Sequence, residues 1–326
     1  MSGLWVKPNM SLITENRARN PVGRFAPTPS GKLHAGNAFS FLIAYLQVRQ
    51  RNGSMRMRVE DIDTARCKSQ FIDSLFKDFE WLGFSWDGEV VYQSKRLDAY
   101  EEAFSLLQHD DRLYQCFCSR ADIHAASAPH HGEEIIYPGT CRNLSHNEQV
   151  KRSSLKSPSY RIKVPSTLFY FDDLFQGQCS FDLSSMSGDF VVRRSDDVFA
   201  YQLAVVIDDA AMGVTSVVRG LDLLTSAPRQ QFLQDCLHLP HVDYGHLPLM
   251  VDKKGRRLSK RAGDISIEYF RTKPGFSAEE FWGKLAYSCG IVSDEQPSTL
   301  DDLVKEARLD ALKGKETIEF FDCSIS

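Results

Sequence analysis

Arg24-Phe25-Ala26-Pro27-Thr28-Pro29-Ser30-Gly31-Lys32-Leu33-His34-Ala35-Gly36-Asn37 is the stretch whose reading decides the fold. Arg24-Phe25-Ala26 reads as a short strand, and the two prolines and the glycine that follow require a turn. Apolar residues then recur at Phe39, Leu42, Ile43 and Leu46, the spacing of one helix face. Gly53 closes that segment. Beyond it Met55, Met57 and Val59 alternate with Arg56, Arg58 and Glu60, the period of a strand. Strand, helix and strand in succession make a βαβ unit, which predicts an α/β fold with a parallel sheet and a right-handed crossover. Free N–H groups at the helix start suit a phosphate. Gly36 lets a nucleotide approach the backbone closely. His34 can donate to phosphate oxygens while charge builds at phosphorus. An ordinary βα turn with a capping serine would carry part of the same pattern.

Two more helical patterns follow, one on Phe71, Leu75, Phe79 and Leu82, the other on Leu97, Tyr100, Phe104 and Leu107. From Cys116 to about Asp189 the chain turns irregular and richer in Ser, Pro and His, which reads as an insertion between two halves of a nucleotide fold. Regular structure resumes at Phe190–Arg194 and Tyr201–Asp209, and a helix is expected from about Ser226 to Leu237, with Pro228 in its first turn. The expected organisation is an N-terminal extension (1–20), a first catalytic half (21–115), the insertion (116–189), a second half (190–250) and a basic loop with a short helical region (251–326).

The basic loop places Lys253, Lys254, Arg256, Arg257, Lys260 and Arg261 within nine positions. Such a run is often a solvated surface. A lysine in it can equally neutralise a departing pyrophosphate. Among eight cysteines, Cys116, Cys118 and Cys141 cluster, which in a cytosolic protein reads as metal before disulfide. Zinc takes four ligands, so the trio needs a fourth, with His124, His130, His131 and Tyr137 as local candidates. Without a metal the three are free thiols.

His34-Ala35-Gly36-Asn37 resembles the HIGH signature of class I aminoacyl-tRNA synthetases, and Leu258-Ser259-Lys260 resembles their KMSKS signature, in the same order and at a similar separation. Asn37 stands where HIGH has its second histidine; Arg257, Leu258 and Arg261 replace the first lysine, the methionine and the last serine of KMSKS. Arg24–Gly31 and Arg58-Val59-Glu60-Asp61-Ile62-Asp63-Thr64-Ala65-Arg66 look like successive segments of the glutamyl-tRNA synthetase family, and the resemblance spans roughly residues 21–265. It implies a Rossmann-type parallel sheet with a zinc-bearing insertion, and ATP-dependent activation of L-glutamate with Mg²⁺ on the nucleotide. It implies catalytic roles for His34 and Lys260, and ATP contacts from His34, Gly36, Asn37, Ser259 and Lys260. The glutamate residues would be Arg24, Ala26, Thr28, Glu60, Tyr201 and Arg219. Glu60 would hold the ammonium, Arg24 and Arg219 would face carboxylate oxygens, and Tyr201 would shape the pocket. From the residues alone, Glu60 reads equally as a surface partner of Arg58, and Arg219 as a solvated strand end.

The 65 residues beyond Arg261 have room for part of a stem-contact region, and not for an anticodon-binding domain as well. Length and the segment Asp87-Gly88-Glu89-Val90-Val91-Tyr92-Gln93-Ser94 resemble the short branch of this family, which joins glutamate to queuosine in tRNA(Asp). That likeness implies Tyr137 as the fourth zinc ligand, activation without tRNA, and the anticodon loop of tRNA(Asp) as partner. The rivals are a shortened glutamyl-tRNA synthetase that charges a tRNA 3′ end, and an inactive RNA-binding module of the same fold. Composition is that of a globular protein, with 42% hydrophobic and 25% charged residues and a net charge of −4. The longest early apolar run, Ala38–Leu46, is too short for a bilayer span or a secretory signal, so a cytoplasmic monomer without a membrane partner is expected.

Overall fold

Strand β1 (Val22–Phe25), helix α1 (Ala35–Arg49) and strand β2 (Ser54–Val59) form the expected βαβ unit. The strands pair in parallel with Arg24 opposite Arg56. The computed structural model of the chain describes residues 20–127, 136–258 and 266–320. The expected extension up to residue 19, His130, His131, Ser259, Lys260 and Arg261 lie outside them, as does the side chain of His124. Phe39, Leu42, Ile43 and Leu46 carry α1 into the core. The turn into β2 needs glycine, since a Cβ on Gly53 would sit 2.1 Å from the Pro21 carbonyl oxygen.

Helix α2 (Ser69–Trp81) leads to β3 (Val90–Tyr92), which adds to β2 in parallel. After α3 (Leu97–His109) come β4 (Leu113–Cys116), α4 (Arg120–Ser127), α5 (His146–Ser153) and β5 (Ser159–Ile162). A hairpin of β6 (Leu168–Asp173) and β7 (Gly177–Asp182) follows, then α6 (Leu183–Met186) and β8 (Phe190–Arg193). Strands β4, β5 and β8 make one antiparallel sheet. The stretch read as irregular is therefore largely regular. Its alternation is hard to see because β6 carries apolar side chains on both faces: Phe169 is buried, while Leu168 and Tyr170 are exposed.

Helix α7 (Tyr201–Ala211), β9 (Ser216–Gly220), α8 (Ser226–Cys236) and β10 (Asp243–Leu247) complete the second half. β9 and β10 pair in parallel with Arg219 opposite His246. β9 also lies beside β1, where the Thr215 N–H donates to the Val22 carbonyl at 2.9 Å. Across the molecule the order is β3, β2, β1, β9, β10, and it reverses between β1 and β9. In an open parallel sheet that reversal leaves a crevice beyond the carboxyl ends of the strands.

The last part of the chain holds β11 (Leu249–Val251), α9 (Ile267–Thr272), α10 (Ala278–Cys289), α11 (Leu300–Glu306) and β12 (Thr317–Glu319). It is no appendage. Phe270, Phe281, Trp282 and Leu285 share one core with Phe25, Phe39, Met57 and Phe79. Trp282 Nε1 donates to the Leu82 carbonyl at 2.9 Å, and β12 returns to pair with β11. Among the described residues no helix is long and apolar enough to cross a membrane.

Candidate active site and metal centre

A cavity of about 410 Å³ opens at the carboxyl ends of the strands. Arg24, Ala26 and Thr28 reach it from the end of β1, and Glu60 from the end of β2. His34, Gly36 and Asn37 line it from the start of α1, Tyr201 from the start of α7, and Arg219 from β9. The sheet thus gathers nine of the singled-out residues around one space, although they come from segments nearly two hundred positions apart.

The floor is a buried network of charges. Glu60 Oε1 accepts from Arg58 Nη2 at 3.1 Å and its Oε2 accepts from Thr28 Oγ1 at 3.2 Å. Arg58, fully buried, also donates to Asp209 Oδ1 at 2.6 Å and lies 3.9 Å from Asp208. Arg24 Nε is 3.5 Å from the same Asp209 oxygen. Asp208 is held in turn by Gln93, Arg96 and Tyr100 at 2.9, 2.6 and 2.8 Å. Glu60 is indeed the partner of Arg58, but the pair is buried rather than on the surface, and Arg219 is likewise buried rather than solvated. Buried charges persist only when paired in this way. Asp208, Asp209 and His246 were not singled out from sequence. Their available signal was a polar residue inside an apolar run, Val205-Val206-Ile207-Asp208-Asp209 and Tyr244-Gly245-His246-Leu247.

At the start of α1, the Asn37 Oδ1 accepts the backbone N–H of His34 at 3.3 Å, closing the first turn of the helix. The His34 ring lies against Gly36, where a Cβ would meet it at 3.1 Å. The flanks of the basic loop come to this same place. Leu258 lines the cavity, and Ser266 bridges to His34.

A second constellation lies in the insertion. The sulfurs of Cys116, Cys118 and Cys141 lie within 4.8 Å of one another. The Tyr137 hydroxyl is 3.4 Å from Cys116 Sγ and 4.0 Å from Cys118 Sγ. Zinc about 2.3 Å from each sulfur would set tetrahedral neighbours about 3.8 Å apart, and Cys118 and Cys141 stand at 3.6 Å. The Tyr137 oxygen accepts the Cys141 N–H at 2.8 Å. Arg161 donates to Cys116 Sγ at 3.3 Å and stacks 3.8 Å over the Tyr137 ring. Against its burial, hydrogen bonds from Tyr137 and Arg161 hold the Cys116 thiol below its ordinary value, favouring the thiolate that binds metal. Burial and the Cys116 charge instead raise Cys118 and Tyr137, whose protons a metal would have to displace. The donor set fits a zinc ion.

Residues 22–279 match the family described as tRNA synthetases class I (E and Q), catalytic domain. A glutamyl-Q tRNA(Asp) synthetase of Symbiobacterium thermophilum is 45% identical over 294 residues, which are 86% of this chain and 90% of that protein. One of Nitratidesulfovibrio vulgaris is 41% identical over the same shares. The glutamate–tRNA synthetase of Elizabethkingia anophelis superposes with a TM-score of 0.78 at 23% identity, covering 93% of this chain and 68% of that one, a likeness of fold. The chain belongs to the class I (E and Q) tRNA synthetase family and, within it, to the glutamyl-Q tRNA(Asp) synthetases.

Proposed function

We propose that this ligase activates L-glutamate with ATP in the absence of tRNA and transfers it to queuosine at the wobble position of tRNA(Asp). The observation that carries the reading is the donor set of the cavity, taken with the 41–45% identity to its relatives. One buried carboxylate and two buried arginines lie beside a helix start suited to phosphate. Glutamate presents one ammonium and two carboxylates, and that set complements it.

Glu60 receives the ammonium, while Arg24 and Arg219 orient the carboxylates, with Tyr201 as a wall. A glutamate α-carboxylate oxygen attacks the α-phosphorus of ATP in line, forming the mixed anhydride as the bond to pyrophosphate breaks. His34 and the α1 N–H groups bind the phosphates, with Gly36 and Asn37 at the nucleotide and Ser259 and Lys260 on the leaving pyrophosphate. Mg²⁺ enters on the ATP, held mainly by its phosphates. A hydroxyl of queuosine then attacks the anhydride carbonyl and AMP leaves. Positioning and charge stabilisation supply the catalysis.

ATP–pyrophosphate exchange tests the first half. Glutamate alone, without tRNA, should support exchange, and aspartate or glutamine should not. Absence of exchange would leave the chain an RNA-binding module with a vacated enzyme fold.

Cys116, Cys118, Cys141 and Tyr137 would hold a structural zinc ordering the 116–189 insertion, which would grip the anticodon loop. Elemental analysis of protein purified without chelator should find about one zinc per chain, as a closed four-ligand site requires. Tyr137→Phe should weaken retention against a chelator. A zinc-free protein would leave the cluster as thiols.

A further inference from the structure

We propose that Asp173 and His246 are positioning residues that set Arg219 for a glutamate carboxylate, so that the insertion takes part in choosing the amino acid. The inference rests on the functional reading above. Arg219 Nε donates to His246 Nε2 at 3.0 Å, and its Nη1 donates to Gln230 Oε1 at 2.8 Å. Its plane lies 5.0 Å over the Tyr244 ring. The Nη2 nitrogen is buried and has no hydrogen-bond partner among the described residues, on a side chain that lines the cavity. A buried guanidinium edge left open beside a cavity is suited to a carboxylate.

The histidine settles where that edge points. Arg219 Nε–H can only donate, so His246 Nε2 must be bare and accept. The ring proton is then on Nδ1, which donates to Asp173 Oδ2 at 2.5 Å. Burial, with the Arg219 charge beside it, holds His246 below the ordinary imidazole value against the pull of Asp173 and of the Leu223 carbonyl, which agrees with a neutral ring. The other Asp173 oxygen is committed elsewhere. Oδ1 accepts the backbone N–H groups of His246, Phe175 and Gln176 at 2.9, 3.0 and 3.0 Å. Asp173 ends β6, at the tip of the hairpin within the insertion. A single carboxylate therefore ties the hairpin tip, the tautomer of a buried imidazole and the orientation of Arg219.

That commitment gives a sharp substitution. In Asp173→Asn the three backbone donors keep the amide oxygen on their side, and the amide N–H₂ turns to His246. Nδ1 must then accept, the ring proton moves to Nε2, and two N–H groups oppose each other between His246 and Arg219. Arg219 loses its setting while the turn keeps its bonds.

In ATP–pyrophosphate exchange, Asp173→Asn should raise the KM for glutamate about tenfold or more, as loss of a charge-assisted hydrogen bond does. The KM for ATP and the Tm should stay close to wild type. His246→Leu should raise the glutamate KM alike while lowering the Tm, since it strands the buried Asp173 Oδ2 and Arg219 Nε. His246→Gln, which restores an acceptor near the position of Nε2, should recover most of the KM loss. Folded Asp173→Asn and His246→Leu proteins with an unchanged glutamate KM would overturn the proposal. Should the variants fail to fold, ¹⁵N shifts of His246 in the wild type decide, because a proton on Nε2 contradicts the proposed relay and a proton on Nδ1 alone supports it. A wild-type protein with no glutamate-dependent exchange overturns the functional reading itself, whereas an active one with insensitive variants overturns only the positioning role.

Discussion

Replacing Glu60 by Gln is expected to lower kcat/KM for glutamate in pyrophosphate exchange by about 10²- to 10³-fold, the scale of losing one partner of a buried charged pair. The carboxylate is buried, and its two oxygens are fixed by Arg58 and Thr28. An ammonium placed against it would meet a charge that is already oriented and screened from water. A glutamine keeps the shape and can still accept from Arg58. Its amide N–H₂ would, however, present positive hydrogens to a positive substrate group. The fold should survive, because Arg58 retains Asp209 at 2.6 Å and Asp208 at 3.9 Å. Thermal denaturation of the variant should therefore move far less than its activity. Unchanged kinetics with glutamate would remove Glu60 from the substrate site and leave it as a brace for Arg58.

Lys260→Ala should depress the exchange rate by about 10²-fold or more, with little change in the KM for glutamate, as removal of a strong charge-stabilising group does. Lys260 lies outside the described residues, but both flanks of its loop are placed. The Leu258 N–H donates to the Met250 carbonyl at 2.9 Å, and the Ile267 N–H donates to the Leu33 carbonyl at 2.8 Å. The loop thus leaves from the cavity wall and returns beside His34. Both anchors of the loop stand beside the start of α1, where the proposed mechanism binds the phosphates. In the proposed mechanism the charge of Lys260 would act as pyrophosphate departs, so kcat should fall while glutamate binding does not. An unaffected rate would reduce the basic loop to a solvated surface.

The elements around the cavity were legible because each carries its own period. Phe39, Leu42, Ile43 and Leu46 mark α1, and Met55, Met57 and Val59 mark β2. The hairpin β6–β7 was not, since Leu168 and Tyr170 put apolar groups on its solvent face. The lining of the cavity was largely legible through motifs at strand ends, where chain reversal places side chains outward. The second layer was not. Arg58 meets Asp209 across 151 positions, and His246 meets Asp173 across 73. A polar residue in an apolar run announces that it is buried and must be paired. It carries no information on which distant residue pairs with it. The cysteine spacing pointed to a cluster that could hold a metal, whereas the convergence of the Tyr137 oxygen on the sulfurs is a property of the fold, in which Tyr137 bridges to Gly188.

The acceptor is the central claim. A base in a single-stranded anticodon loop can be turned out of its stack and offered to a pocket, which a paired stem does not allow. Labelled glutamate, ATP and the protein should be incubated with tRNA(Asp) that carries queuosine, and the product cleaved by nuclease. The label should appear in the anticodon fragment, and an unmodified tRNA(Asp) transcript should accept none. Efficient labelling of unmodified tRNA(Glu) at its 3′ end would contradict the assignment and make the chain a glutamyl-tRNA synthetase of the ordinary kind.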